Sequence, residues 1–240
     1  MNKNTKIDFN CDLGEGLDNE HLLMPYLSSC NIACGAHAGS VEVIDKVIEL
    51  ALSHGVKIGV HPSYPDKENF GRVVLEMTDV ELHESLKDQL QLFKERAAMQ
   101  DATIHHVKPH GALYNLIAVD EEKAVIVSKA VKAIFDDVKL YVPFNSKIEK
   151  VARDQGIEII YEAFADRNYN DDLTLVSRSE PDATITDKEQ VVTHVKRMFE
   201  ESKVKTIQDN ERDIKAETFC LHGDNEKAIE ILKTLHQEFL

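Results

Sequence analysis

Strand-like and helix-like signals alternate along this 240-residue chain, and that alternation limits its fold more than any other feature. Short apolar runs fall at 6–10, 29–33, 56–61, 103–108, 139–143, 157–162, 204–207 and 218–222. Between them the apolar period lengthens to that of a helix. Residues 40–53 place Val41, Ile44, Val47, Ile48, Ala51 and Leu52 on one face, and Gly55 supplies the stop. Thr78 with Glu81 forms a capping box ahead of Leu86, Leu90, Phe93 and Ala97. Asp120 opens a helix carrying Val125, Val127, Val131 and Ile134, and Asn145 or Ser146 opens a short one that Gly156 ends. Thr186 and Glu189 frame a second box before Val192, Val195 and Phe199. Asp224-Asn225 is positioned to cap a last helix with Ile229, Ile231, Leu232 and Leu235. Parallel strands need crossover helices, so this pattern predicts an α/β fold, and seven or eight strands suit a closed barrel. No repeat or Pro/Gly/Ser linker divides the chain, which reads as one domain over residues 1–240. The connections 62–77 and 166–185 exceed ordinary loop length, as lids and binding loops do.

The balance of 28 basic against 43 acidic residues gives a formal charge of −15. Nucleic acid and anionic membrane both demand basic surface, so neither is expected as a partner. Residues 1–10 show no charged-then-apolar leader, and no run approaches the ~18 apolar residues of a membrane span. A cytoplasmic protein is expected. Cys11, Cys30, Cys34 and Cys220 form no C-x-x-C pair and read as small buried hydrophobes in a reducing compartment. A zinc site on Cys30 and Cys34 lacks further close ligands.

Polar residues crowd the downstream ends of the apolar runs. Asn10-Cys11-Asp12-Leu13-Gly14-Glu15 ends the first, and Cys34-Gly35-Ala36-His37 follows the second. His61-Pro62, Lys108-Pro109-His110-Gly111, Glu162 to Arg167, and His222-Gly223-Asp224-Asn225 end four more. In parallel α/β folds function gathers where strands end, so six such ends describe one shared site and an enzyme. Strand parity puts Asp8, Asn10 and Asp12 on one face, which points into a barrel because the apolar face meets the helices. The same parity aligns Asn31 with His37, His106 with Lys108 and His110, Glu162 with Asp166, and His222 with Asp224.

Each residue also has a structural reading. Asn10 or Asp12 suits a turn cap, and Gly14 with Gly16 suits a tight loop rather than a nucleotide fingerprint. His105 is expected to pack outward, and His21, His54, His83, His194 and His236 fall on helices as surface or structural residues. Lys108 is harder to dismiss, because a buried ammonium without a partner is costly. Arg72 and Arg167 suit anion clamps. The P-loop, G-x-S-x-G and H-E-x-x-H patterns are all missing from the sequence.

These segments resemble the LamB/YcsF family. The resemblance rests on the strand-end motifs above, with Asn31 to Gly39, Tyr64-Pro65-Asp66, Phe70-Gly71-Arg72, His106 to Asn115, and Phe164-Ala165-Asp166-Arg167-x-Tyr169, in order over 7–225. It departs from the family at Ala36, Ser40, Ser63, Glu226 and the loop 143–146. The resemblance implies an irregular (β/α) TIM-like barrel of about seven strands, akin to glycoside hydrolases and deacetylases. It implies the A component of an ATP-dependent 5-oxoprolinase, opening 5-oxo-L-proline to L-glutamate with ATP and Mg2+ and with partner subunits B and C. Phosphorylating the lactam oxygen would activate the ring carbon for water, which needs cations for phosphate and acid–base groups for water and nitrogen. The expected catalytic residues are Asp12, Glu15, His37, His61, Lys108, His110, Asp166 and His222. Asn10, Arg72, Tyr114, Asn115, Arg167 and Asp224 are expected to bind substrate or phosphate. No metal ligand is assigned. Two rival readings stand beside this one. A metal-dependent deacetylase would place its ion on Asp12, His37 and His61, or on His222 and Asp224. A non-catalytic binding subunit would leave the chemistry to its partners.

Overall fold

The computed structural model describes residues 7–240; the leader reading and the first residue of the 6–10 run lie wholly or partly outside them. The elements run β1 (Asp8–Leu13), α1 (Glu20–Leu23), a 3-10 turn (Met24–Tyr26), β2 (Ser29–Ala33), α2 (Val41–His54) and β3 (Lys57–His61). Then come α3 (Asp79–Ala98), β4 (Ile104–Val107), α4 (Gly111–Val119), α5 (Glu121–Ile134), β5 (Lys139–Pro143), α6 (Lys147–Asp154) and β6 (Ile159–Phe164). Last are α7 (Lys188–Glu201), β7 (Lys203–Lys205), β8 (Glu211–Asp213), β9 (Thr218–Cys220) and α8 (Ala228–Phe239). Among the described residues seven parallel strands close a barrel in the order β1-β2-β3-β4-β5-β6-β9, with β9 pairing back onto β1. No helix among them is long and apolar enough to cross a membrane.

Local chemistry explains most helix starts. Ser40 accepts from the Val43 N–H at 3.3 Å, Asp120 from Lys123 at 3.0 Å and Ser146 from Glu149 at 3.3 Å. The Thr78–Glu81 box is present in both directions, and Gly55 closes α2 with a φ of 66°. Other expectations need correction. Helix α7 is capped by Asp187, which accepts from Gln190, so Thr186 and Glu189 frame no box. Helix α8 begins at Ala228 with Lys227 as an N-cap that makes no side-chain bond; Asp224 turns to Arg72, while Asn225 donates to Asp166 and its Oδ1 accepts from the Lys227 N–H at 3.1 Å. Leu52 is exposed beside its buried helix-mates. Helix α4 has no counterpart in the sequence reading. The run at 204–207 does not join the barrel: β7 pairs antiparallel with β8 outside it. Its Lys-Val-Lys pattern buries only Val204, whereas a parallel barrel strand is covered on both faces.

Apolar strand faces meet the helices, so the barrel interior is left polar. Ser29, Asn10, Asn31, His106, Glu162 and Thr218 are all buried there. Asn31 donates to Asn10 Oδ1 at 2.7 Å and to Asp12 Oδ1 at 2.8 Å, while His106 Nε2 meets Asn31 Oδ1 at 2.6 Å. Asn10 donates to Glu162 at 3.0 Å and to Thr218 at 2.8 Å. These bonds satisfy buried polar groups that would otherwise be costly. His106 also stacks on Tyr141, with centroids 3.8 Å apart. Room for its ring comes from Gly59, where a Cβ would lie 2.1 Å from His106 Nε2. The network leads up the interior into the barrel mouth.

Candidate active site

The carboxyl ends of the barrel strands open into a cavity of about 250 Å³. Asp12, Glu15, His61, Lys108, His110 and His222 form its floor and walls, with Tyr114 and Asn115 of α4 to one side. Arg72, Arg167 and Asp224 bound it from the loops. Asn10, His37 and Asp166 are buried behind this lining. The expected residues therefore gather at one barrel end, as strand parity required.

Lys108 is the electrostatic centre of the floor. Its Nζ lies 3.0 Å from Asp12 Oδ1, 3.0 Å from Glu162 Oε1, 3.4 Å from Asn10 Oδ1 and 3.0 Å from Cys220 Sγ. Burial alone would favour the neutral amine, but Asp12 leads the neighbours that raise its pKa, and the ammonium persists. Burial would likewise raise Asp12, yet His61 and Lys108 hold its carboxyl well below the usual range. Lys108 thus helps hold the Asp12 carboxylate ionised and pairs with Glu162 in a buried setting.

Asp166 and His222 form a second unit. His222 Nδ1 lies 2.8 Å from Asp166 Oδ1, and the His222 backbone N–H and Asn225 side chain donate to Oδ2 at 3.3 and 3.0 Å. Burial works against the Asp166 anion, but His222 and these donors lower its pKa overall. Such a carboxylate orients an imidazole and leaves its Nε2 directed away from the pair. His222 also stacks on Phe164, with centroids 5.4 Å apart.

The imidazoles of His37, His61 and His110 surround Glu15. His37 Nε2 lies 2.9 Å from Glu15 Oε1, and its Nδ1 lies 2.8 Å from Ser63 Oγ. Burial brings the His37 pKa down to about 4, leaving the ring neutral at physiological pH. Gly111 is required where α4 starts beside this cluster: its φ is 56°, and a Cβ would meet the Gly71 carbonyl oxygen at 2.6 Å.

Arg72 and Arg178 both reach Asp224 Oδ2, at 2.6 and 3.1 Å. Arg167 instead donates to the Ala183 and Val176 carbonyls, bracing its own loop. The Tyr114 hydroxyl and Glu162 Oε2 are buried and have no other side-chain partner among the described residues, and they lie close enough for Glu162 to act on the phenol as an acceptor. Burial, then the Glu162 charge beside it, pushes the phenol pKa well above its ordinary value, so Tyr114 remains a donor. A second cavity of about 930 Å³ adjoins the first, sharing Tyr114, Asn115, Phe164, Leu175 and Ser177 with it.

Sequence reasoning missed several participants. Glu162 had the right parity but was not selected, and Arg178 was noticed only as part of a long loop. Cys220 was read as a plain hydrophobe, although its sulfur touches Lys108. All four cysteines are free and buried, and burial pushes Cys30 and Cys34 up to about 12. Neither metal set considered from the sequence is assembled as expected. Among the described residues two groups could hold an ion, Glu15 with His37, His61 and His110, and Asp12 with Cys220 and His222, while Asp224 turns to the arginines.

The model of the LamB/YcsF family matches residues 7–240. The chain is 41% identical over 239 residues to the A component of 5-oxoprolinase from Campylobacter jejuni subsp. doylei, covering 97% of this chain and 93% of that protein. It is 38% identical over 241 residues to the corresponding 5-oxoprolinase component from Bacillus cereus, covering 98% and 95%. Its structure is similar to that of a lactam utilization protein from Thermus thermophilus, with a TM-score of 0.89, 33% identity and 97% of each chain covered. A GH113 β-1,4-mannanase shares the fold alone, at a TM-score of 0.53 and 13% identity over 97% of this chain and 98% of that one.

Proposed function

The chain belongs to the LamB/YcsF family, and on that premise we propose that it is the lactam-opening component of an ATP-dependent 5-oxoprolinase. The overall reaction converts 5-oxo-L-proline, ATP and two waters to L-glutamate, ADP and phosphate. The observation that carries this reading is the Tyr114 hydroxyl with Glu162 Oε2 facing it, buried beside the cavity and engaged by no other side chain among the described residues. A lactam offers one carbonyl acceptor and one N–H donor, the complement of that pair. Arg72 and Arg178, gathered on Asp224, provide positive charge for the substrate carboxylate or a transferred phosphate.

A lactam is resonance-stabilised and resists water. Transfer of the ATP γ-phosphoryl group to the lactam oxygen makes the ring carbon an electrophile. Water adds there, and the ring opens only if the C–N bond breaks in preference to the C–O bond; breaking C–O merely regenerates the lactam. Protonating the nitrogen therefore decides the outcome, and His222, oriented by Asp166, is the group placed for it. A second water cleaves the resulting acyl phosphate to glutamate and phosphate. Lys108 keeps Asp12 ionised and holds Glu162 in position. The nucleotide approaches from the adjoining cavity, where Lys147, Lys150 and Arg153 of α6 supply cations.

The chain acts as a single barrel domain in the cytoplasm, where its four buried thiols stay reduced, and works with subunits B and C. Glutamate release from 5-oxoproline, measured for this chain alone and then with B and C, tests the reading. ATP-dependent release that requires this chain is expected. Undiminished complex activity after combined substitution of Tyr114, Glu162 and His222 would assign the chemistry to the partners.

A further inference from the structure

Ring nitrogens and carboxylate oxygens converge at the His61 corner of the cavity. His61 Nδ1 lies 2.6 Å from the Lys108 carbonyl oxygen, and His110 Nε2 lies 2.9 Å from the Phe70 carbonyl oxygen. A carbonyl oxygen only accepts, so each ring carries a proton on that outer nitrogen. The inner nitrogens, His61 Nε2 and His110 Nδ1, face each other at 2.9 Å. Glu15 Oε1 stands 3.2 Å from His110 Nδ1 and 3.8 Å from His61 Nε2. Asp12 Oδ2 lies 3.4 Å from His61 Nε2. Groups this rich in lone pairs pack this closely around a shared cation, a proton or a metal ion. Bonds of about 2.0–2.2 Å to one ion would set neighbouring ligand atoms roughly 3.0–3.5 Å apart. The observed separations scatter around that range.

The surroundings match those of metal-binding imidazoles. Outer N–H groups anchored on carbonyls fix both the tautomer and the direction of the inner lone pair. The two rings stand at 85° to one another, so their in-plane lone pairs approach from different directions. His37 lies flat on His110, 3.8 Å away and 6° from parallel, so both cannot aim in-plane lone pairs at one point. His37 instead meets Glu15 Oε1 through Nε2 at 2.9 Å and orients that carboxylate.

We propose that Glu15, His61 and His110, with Asp12 beside them, bind one divalent transition-metal ion of the Zn2+ or Co2+ kind. Two imidazole nitrogens discriminate against Mg2+ and Ca2+, which favour oxygen ligands. Because Glu15, His61 and His110 all line the cavity, the ion would keep a position for water or a substrate oxygen. The assignment rests on hydrogen-bond directions and is independent of the lactam reading.

The test uses the full chain, stripped with a chelator, checked by circular dichroism and titrated with Co2+. One equivalent should bind, with visible d–d absorption and a rise in melting temperature. His110→Ala and Glu15→Gln should each weaken Co2+ binding about a hundredfold or more without altering the far-ultraviolet spectrum. Millimolar Mg2+ should not displace the ion. Failure of the folded chain to bind Co2+ one-to-one overturns the proposal, as does binding that neither substitution weakens. If His110→Ala does not fold, Glu15→Gln, on the loop after β1, decides the matter alone.

Discussion

Replacing Lys108 by Met keeps the approximate length of the side chain and removes its charge, so it isolates what the ammonium does. Asp12 Oδ1 and Glu162 Oε1 each lie 3.0 Å from Nζ, and all three groups are buried. Removing one partner of a buried ion pair costs about 3–5 kcal/mol, because an uncompensated charge is left behind. Asp12 keeps its bond from Asn31 and Glu162 keeps its bond from Asn10, which favours the lower end, about 3 kcal/mol. For a chain of this size each kcal/mol moves the midpoint by about 2–4 °C, so a fall of roughly 6–12 °C is expected at pH 8. The pH dependence has a definite sign. Without the ammonium, Asp12 loses one of the charges that hold its carboxyl down against burial, so its pKa rises. A raised carboxylate leaves stability intact below its unfolded pKa and loses it as pH rises through the folded pKa. The deficit against the parent protein should therefore shrink between pH 8 and pH 5. Thermal melts of both proteins across that range measure it. A midpoint within about 2 °C of the parent at pH 8, or a deficit that does not shrink at pH 5, would refute the keystone role of Lys108.

Asp166→Asn removes the acceptor that orients His222, and kcat of the assembled enzyme should fall by about two to four orders of magnitude with KM little changed. Steady-state glutamate formation checks this; normal kcat would remove the pair from catalysis. Arg178→Ala should raise KM for 5-oxoproline about tenfold while kcat holds, and an unchanged KM would leave the arginine as a partner of Asp224 only. Gly59→Ala forces a methyl into the His106 ring and should cost about 1–3 kcal/mol or more, read from urea unfolding. Burial lowers the pKa of His194 to about 4, so its contribution to stability is present above its unfolded pKa and lost as pH falls toward the folded one. His194→Gln should flatten the melting curve's pH slope between about 6.5 and 4, and an unaltered slope would count against that assignment.

The positions of the chemistry were legible because strand parity and strand ends are local properties. Asp12, His61 and Lys108 follow directly from apolar runs whose alternate residues must point inward once helices cover the outside. Caps at Ser40, Thr78, Asp120 and Ser146 were legible for the same reason, since each cap bonds an N–H within three residues of itself. Asp187 and Asn225 escaped because several adjacent residues could cap, and the choice depended on distant partners. Asn225 is claimed by Asp166, 59 positions away. Helix α4 escaped because its apolar residues lack the one-sided period of a surface helix; Ala112, Leu113, Tyr114 and Ile117 are all buried.

What the sequence determined by itself was the alternating α/β order, the closed barrel it implies, and the end of that barrel where ionisable groups collect. Tertiary structure decided the partnerships: Lys108 with both Asp12 and Glu162, His222 with Asp166, Asp224 with two loop arginines, and Glu15 with the histidines. The physical reason is range. Periodicity and capping act over a few residues and leave their mark in the local sequence. Charge pairing acts across a barrel that brings residue 10 beside residue 162 and residue 108 beside residue 220, and its outcome depends on burial and distance.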